Sequence, residues 1–344
     1  MSRPPTLSPR RLNRALLARQ LLLERADLSI EDTIDTIGGM QTQYAPAGYV
    51  GLWTRLARCE RDALTHALEA RSVVQATLLR TTIHMVTRRE FWLYAMGIRE
   101  ARRRWALRVA QPRRDRATME ALADRLRSAL ADGPRSVKEL GEDGTGFLGN
   151  LGVWVDLVRV PPSGTWERRR ADILALAEQW IGPPEVTEDD GIVHLVRAYL
   201  RGFGPAPWRD IAAWAGIPVA EVKRGGERLD LAGYLDEDGR PLIDLPDAPL
   251  PDEDVPAPVR FLAHWDAVLL VHARRTGILP EGHRARIFSS KNPFSVGTIL
   301  VDGHVAGTWG SRDGRIEIEL LEDVPKRARD AIEDERLGLE AFHA

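Results

Sequence analysis

A single cysteine, Cys59, stands in 344 residues. An intrachain disulfide is therefore excluded, and so are the paired-cysteine spacings of zinc sites. Such sparse cysteine fits a reducing compartment. No apolar run approaches the roughly 20 residues that cross a bilayer. The opening MSRPPTLSPRRLNRALLARQ lacks the apolar centre of a secretory signal. A cytoplasmic protein without membrane attachment is expected. The eight histidines are scattered and form no HExxH pattern, so no metal site is expected. A GKS or GKT triplet is missing, and so is the GxSxG elbow of serine hydrolases. One GxGxxG match exists, GTGFLG at 144–149. It follows a short helical stretch and precedes a strand-like run, the reverse of the order that cradles a dinucleotide, and is read as a loop. No cofactor is expected.

What is abundant is arginine at one end. The formal net charge is only −2, yet residues 1–120 carry 21 arginines, no lysine and 12 acidic residues, a balance of +9. The remainder is correspondingly acidic. One end can therefore attract a polyanion while the other repels it. Eight arginines fall between 99 and 116. Two readings stay open for them: a solvated helix face, or contacts to a polyanion.

The length suits two or three modules. Residues 11–25 carry leucines at helical spacing. Ser29 can cap a following helix that Gly38-Gly39 should end, so QTQ at 41–43 starts a turn or a third helix. A helix is expected over 61–70. The stretch 73–88 is rich enough in branched residues to hold a strand, and Thr87 can cap the next helix. Ser136 can cap a short helix after Gly133-Pro134. GVWVDLVRVPP reads as a strand, SGTWERR as a possible return strand, and ADILALAEQWI as helix. From His194 onward, HLVRAYLRGFG, WRDIAAWAG and VAEVKRGGERL read as helices separated by glycine stops. PDAPLPDEDVPAP (246–258) is proline-rich and acidic, a linker or an extended surface loop. Strands are expected at VGTILVD, VAGTWG and RIEIEL, then a closing helix. The expected fold is mainly α with α+β parts: modules at 1–118, 119–190 and 191–245, each combining short helices with a small hairpin, and a C-terminal β-rich domain at 259–344.

For chemistry, the stretch GGMQTQYAPAGYVGLW (38–53) stands out. Each glutamine amide offers one carbonyl acceptor and two N–H donors, and it is no strong base. Two such amides can hold a water against a bond whose leaving group is already good. A base made cationic by alkylation is such a leaving group. The site then has only to orient water and to stabilise charge developing on the sugar. The plainer alternative is that Gln41 and Gln43 close a turn or contact phosphate.

Taken together, QTQ after a helix, LLRTTIHMVT, VPPSGTWERRRADILALAE and LAHWDAVLLVHARRTGILP…VDGHVAGTW resemble the AlkZ/YcaQ-like family of winged-helix DNA glycosylases. The resemblance runs from about residue 10 to residue 335. It implies tandem winged-helix units around a concave DNA-binding surface and a C-terminal β-rich domain. It also implies monofunctional removal of bulky N7-alkylpurines from double-stranded DNA, with unhooking of interstrand crosslinks within the family's reach. The family's Gln-x-Gln or Gln-x-Asp element would fall on Gln41 and Gln43, with Gln43 as the leading water-positioning group. The central position, usually aliphatic in the family's crosslink-resistance branch, is Thr42. Among DNA-contact candidates, Arg99, Arg102, Arg103, Arg113 and Arg114 lie in the basic segment. His84 is a candidate for approaching the DNA backbone or for a structural cap. His264, Asp266, His272 and Arg274 fall in the recurring C-terminal segment, for packing or for positioning DNA. A monomer is expected, and a non-catalytic DNA-binding protein is the alternative function.

Overall fold

The computed structural model describes residues 4–109, 114–141, 151–270, 277–288 and 296–344. The first helix, α1 (Pro9–Arg19), follows β1 (Thr6–Leu7). It starts where the Ser8 hydroxyl accepts from the Arg11 amide and Pro9 pre-sets the first turn. The next, α2 (Ile30–Thr36), is capped by Ser29 accepting from the Asp32 amide. It ends at Gly38 and Gly39, whose φ angles of +82° and +81° reverse the chain. A Cβ at Gly39 would also meet Val86 Cγ1 at 3.2 Å. The chain leaves this turn as a strand, β2 (Met40–Gln41), rather than as the turn or helix expected. Then come α3 (Pro46–Arg55), α4 (Arg61–Glu69), β3 (Val73–Thr77) and β4 (Ile83–Thr87), with a short 3₁₀ turn at Leu79–Thr81.

The long helix α5 (Arg88–Val109) follows directly. Thr87 does not cap it; its hydroxyl donates to Asp35 Oδ1 at 2.6 Å. Next are α6 (Arg116–Ala129), β5 (Arg135–Ser136), α7 (Val137–Leu140), β6 (Leu157–Arg159), β7 (Ile173–Leu176) and α8 (Ala177–Ile181). Ser136 and Glu139 form a full capping box at α7. The expected helix over ADILALAEQWI is thus half strand: Ile173–Leu176 pairs with β6, which overrides its local helical periodicity. A six-stranded sheet results, in the order β2-β4-β3-β6-β7-β5, so pairing of β3 with β6 carries one sheet from the first expected module into the second.

Helices α9 (Glu188–Phe203), α10 (Trp208–Ala215) and α11 (Val219–Gly226) precede the hairpin β8 (Ala232–Asp236) and β9 (Pro241–Asp244), to which β1 adds. The largest core packs α5 and α9 against the six-stranded sheet, with Tyr94, Tyr199 and Trp214 at its centre. The two helices touch at Gly97 and Gly191, where a Cβ on Gly191 would sit 2.3 Å from the Gly97 amide nitrogen. Backbone cannot yield as a side chain can. Gly191→Ala is therefore expected to cost about 1–3 kcal/mol, read as a lower urea midpoint at unchanged slope; an unshifted midpoint would show that the helices can separate freely.

The C-terminal sheet runs β10 (Arg260–Leu262), β11 (Gly297–Val301), β12 (His304–Arg312), β13 (Arg315–Leu320), and a long helix, α12 (Lys326–His343), closes the chain. The acidic segment 246–258 does not hang free. Arg10, Arg14 and Arg19 of α1 donate to the carbonyls of Glu253, Val255 and Pro249 at 2.9, 2.6 and 3.0 Å. Asn13 reaches the Gly303 carbonyl at 2.8 Å, tying the N-terminal helix to the C-terminal sheet. The architecture is a mixed α/β fold of several helices and sheets, with a β-rich C-terminal region. Among the described residues, no helix is long and apolar enough to cross a membrane.

Candidate active site

Strand β2 lies at the edge of the six-stranded sheet, and Gln41 pairs with His84 of β4. The Thr42 amide continues the ladder, donating to the Ile83 carbonyl at 2.8 Å. Burial then alternates as it does along any extended segment: Gln41 is half-buried, Thr42 buried, Gln43 exposed. That alternation explains the Gln-x-Gln spacing. The central side chain turns inward, where its hydroxyl accepts from Gln75 Nε2 at 3.3 Å, with half-buried Gln41 on one side of it and exposed Gln43 on the other.

Both amides are oriented by partners that can only donate. Arg80 Nη2 donates to Gln41 Oε1 at 3.1 Å, and the Ile83 amide donates to Gln43 Oε1 at 3.1 Å. Each carbonyl oxygen must therefore face its partner, which directs each NH₂ elsewhere. Arg80 was not singled out from the sequence, where LLRTTIH reads only as part of a strand. It sits in the tight turn between β3 and β4 with φ +51°, and its other nitrogen donates to the Trp214 carbonyl. Burial lowers its pKa to about 10, which leaves it charged at neutral pH. It lines a cavity of about 640 Å³ together with Arg104, Trp105, Arg108 and Arg209. Beside Gln43, Tyr44 lines a second cavity of about 430 Å³.

His84 is 3 % exposed and donates from Nδ1 to the Thr82 carbonyl at 3.0 Å. Burial, then the Arg80 charge, depress its pKa to about 3. At neutral pH it has no positive charge to offer a phosphate. The unfolded chain, with an ordinary histidine pKa of about 6.5, binds the extra proton throughout the window between 6.5 and 3. Stability therefore falls as pH falls through that window, by about 1.4 kcal/mol per unit for this side chain. His84→Gln is expected to flatten the slope of unfolding free energy between pH 6 and 4 by that amount; urea titrations that give parallel slopes for both proteins would contradict it.

The remaining candidates divide. Arg99 pairs with Asp156 at 2.7 Å. Arg102 donates to the Thr77 and Gly152 carbonyls at 2.9 and 3.2 Å, and burial lowers its pKa to about 10. Arg103 pairs with Glu100 at 3.3 Å and lies 5.3 Å over the Trp154 ring. These three are half-buried and engaged by neighbours within the protein, whereas Arg104, which pairs with Glu221, Arg108 and Arg114 are exposed. Asp266 is buried against Arg55 in a two-bond pair of 2.9 and 3.0 Å. His264 lies between the rings of Tyr44 and Trp309, and burial lowers its pKa. Arg113, His272 and Arg274 lie outside the described residues, as does GTGFLG at 144–149. Among the described residues, no three His, Cys, Asp or Glu side chains group to hold a metal ion.

The sequence matches the family described as DNA glycosylase AlkZ-like over residues 34–342, nearly the whole chain. The chain belongs to the AlkZ-like family. The solved structure of Streptomyces sahachiroi DNA glycosylase AlkZ is similar to this chain with a TM-score of 0.81, at 17 % identity, covering 98 % of this chain and 97 % of that one. At that identity the likeness is one of fold. The comparison with curated proteins found no match.

Proposed function

We propose that this AlkZ-like chain is a monofunctional DNA N-glycosylase that excises N7-alkylated purines, with Gln43 and Gln41 orienting the attacking water. The observation that carries the reading is the pair of amides beside the sheet edge, each with its carbonyl held by a donor of the protein. The Gln43 carbonyl keeps a second lone pair, which can take a water O–H. The Gln41 N–H donors remain to align that water or to meet the sugar. No proton has to be removed by a strong base. An N7-alkylguanine leaves as a neutral base, so orienting the water is the main task left to the site.

Double-stranded DNA is the partner in this reading, bound by a monomer of tandem winged-helix modules at 1–118, 119–190 and 191–245, with the 259–344 region completing the surface. The exposed arginines, Arg104, Arg108, Arg114 and Arg209, supply phosphate contacts that are sequence-independent and salt-sensitive. An exposed amide at a sheet edge does not require a bulky lesion to enter a deep pocket, which suits crosslink unhooking. Arg80 joins the reading as a positioning residue. Arg80→Lys keeps the charge and removes the planar fork. It is expected to slow base release by about tenfold with KM little changed; a change confined to KM would make Arg80 a phosphate contact instead.

The Ile83–Gln43 bond also suits a glutamine that merely closes a turn, and this favours the second reading, a non-catalytic DNA-binding protein. Incubation of the purified protein with a duplex bearing one N7-methylguanine separates the two. Free N7-methylguanine and an abasic site are expected. Tight duplex binding with every glycosidic bond intact, across several adducts, would establish the binder.

A further inference from the structure

The cavity that Arg80 lines, of about 640 Å³, falls within the range of small-molecule sites. One wall is a face of α5: Ala101, Trp105 and Arg108 follow one another at i, i+4 and i+7. The facing wall, Ala212 and Ala213 of α10 with Gly216 after it, carries little side chain. A gap is left against the indole, and Trp105 is 39 % exposed. An indole is among the largest apolar groups that a fold can bury. Left open on a cavity wall, it offers a bare stacking face.

The charges narrow what fits. Arg80 and Arg102 are engaged by Gln41 and by the carbonyls of Trp214, Thr77 and Gly152. Arg104 pairs with Glu221. Arg209 is exposed, its Nε 3.6 Å from Asp210, and Arg108 meets no acidic group among the described residues. This excess of guanidinium attracts phosphate and repels a cationic N7-alkylated base. An indole face beside phosphate-seeking arginines is the pairing that holds an unstacked nucleotide. Arg80 ties the cavity to the amides, because the same guanidinium lines it and donates to Gln41 at 3.1 Å. Whatever enters lies within one arginine's length of Gln41.

We propose that this cavity receives an undamaged nucleotide turned out of the duplex beside the lesion, its base stacked on Trp105 and its phosphate met by Arg108 and Arg209. The inference rests on the glycosylase reading and extends it: the lesion stays at the two amides, and a neighbour leaves the stack to open a path for water. Unstacking that neighbour costs free energy, which stacking on the indole offsets.

The test uses the full chain and a duplex with one N7-methylguanine on a 2′-fluoro sugar, which resists base loss, so that anisotropy reads binding alone. In three further duplexes an abasic analogue (tetrahydrofuran) replaces the nucleotide opposite the lesion, its 5′ neighbour or its 3′ neighbour. Trp105 is partly exposed on a helix, so Trp105→Ala and Trp105→Phe are both expected to fold. Trp105→Ala is expected to weaken binding of the complete duplex about tenfold, and Trp105→Phe, which keeps a ring, to retain most of the affinity. In one of the three abasic duplexes the loss on Trp105→Ala should vanish, and that duplex identifies the nucleotide held. An equal loss in all four duplexes overturns the proposal, making Trp105 a contact to the outside of the duplex. Unchanged affinity in every duplex also overturns it. Base release is measured separately on the same duplex without fluorine. Its absence removes the glycosylase reading, and the abasic duplexes still decide the cavity.

Discussion

Replacing Gln43 with alanine is expected to lower the single-turnover rate of base release from an N7-methylguanine duplex by about 10²–10³-fold, the usual consequence of losing one preorganised dipole at a reacting centre. The side chain is exposed and its fixed bond is one acceptor interaction with the Ile83 amide. Folding and duplex affinity should therefore change little. Gln43→Asp is the informative companion. A carboxylate can still accept from Ile83 and from water, so it is expected to recover much of the rate, whereas Gln43→Leu, of similar bulk, is expected to recover none. A rate that follows side-chain volume rather than polarity would show that position 43 shapes the surface and does not direct water.

The second large effect is on stability. Arg55 and Asp266 are both almost fully buried, and they join α3 to the segment after β10 across 211 positions of sequence. Arg55 is further held by the Gly51 carbonyl and by Gln20, which itself donates to the Ile37 and Gly202 carbonyls. Asp266→Ala leaves a guanidinium buried without its counter-charge and is expected to cost about 3–5 kcal/mol, measured by urea unfolding. The double replacement Arg55→Met with Asp266→Leu removes both charges and is expected to restore most of that loss. Additive losses in the double variant would contradict the pairing. The same measurements separate Asp266 from DNA: the single variant, studied where it is still folded, is expected to keep its affinity for duplex.

How much of this could be read from the sequence follows from the range of the interactions. Caps and glycine stops are local. Ser29, Ser136, Gly38-Gly39 and Gly216 do what their positions announce. The strand RIEIEL and the hairpin around Gly303 were legible for the same reason. Pairing partners are not local. Nothing within Met40–Gln41 says strand; the ladder with β4, forty residues on, makes it one. Ile173–Leu176 has helical spacing and becomes a strand because β6 lies beside it. The Gln-x-Gln spacing could be singled out, but the burial of Thr42 between the two glutamines depends on that edge. Arg80 carried no signal at all, because its importance comes from touching Gln41 and the Trp214 carbonyl at once. Charge composition does not tell which arginines have partners: Arg99, Arg102 and Arg103 meet Asp156, Glu100 and backbone carbonyls.

Base release with and without the two amides is the most direct measurement of the account. The wild-type chain is expected to free one N7-methylguanine for each abasic site left, with the DNA strand uncut. A Gln41→Ala, Gln43→Ala double variant should bind the same duplex and release no base above the spontaneous rate. Undiminished release by that variant would contradict the claim that these two amides direct the water.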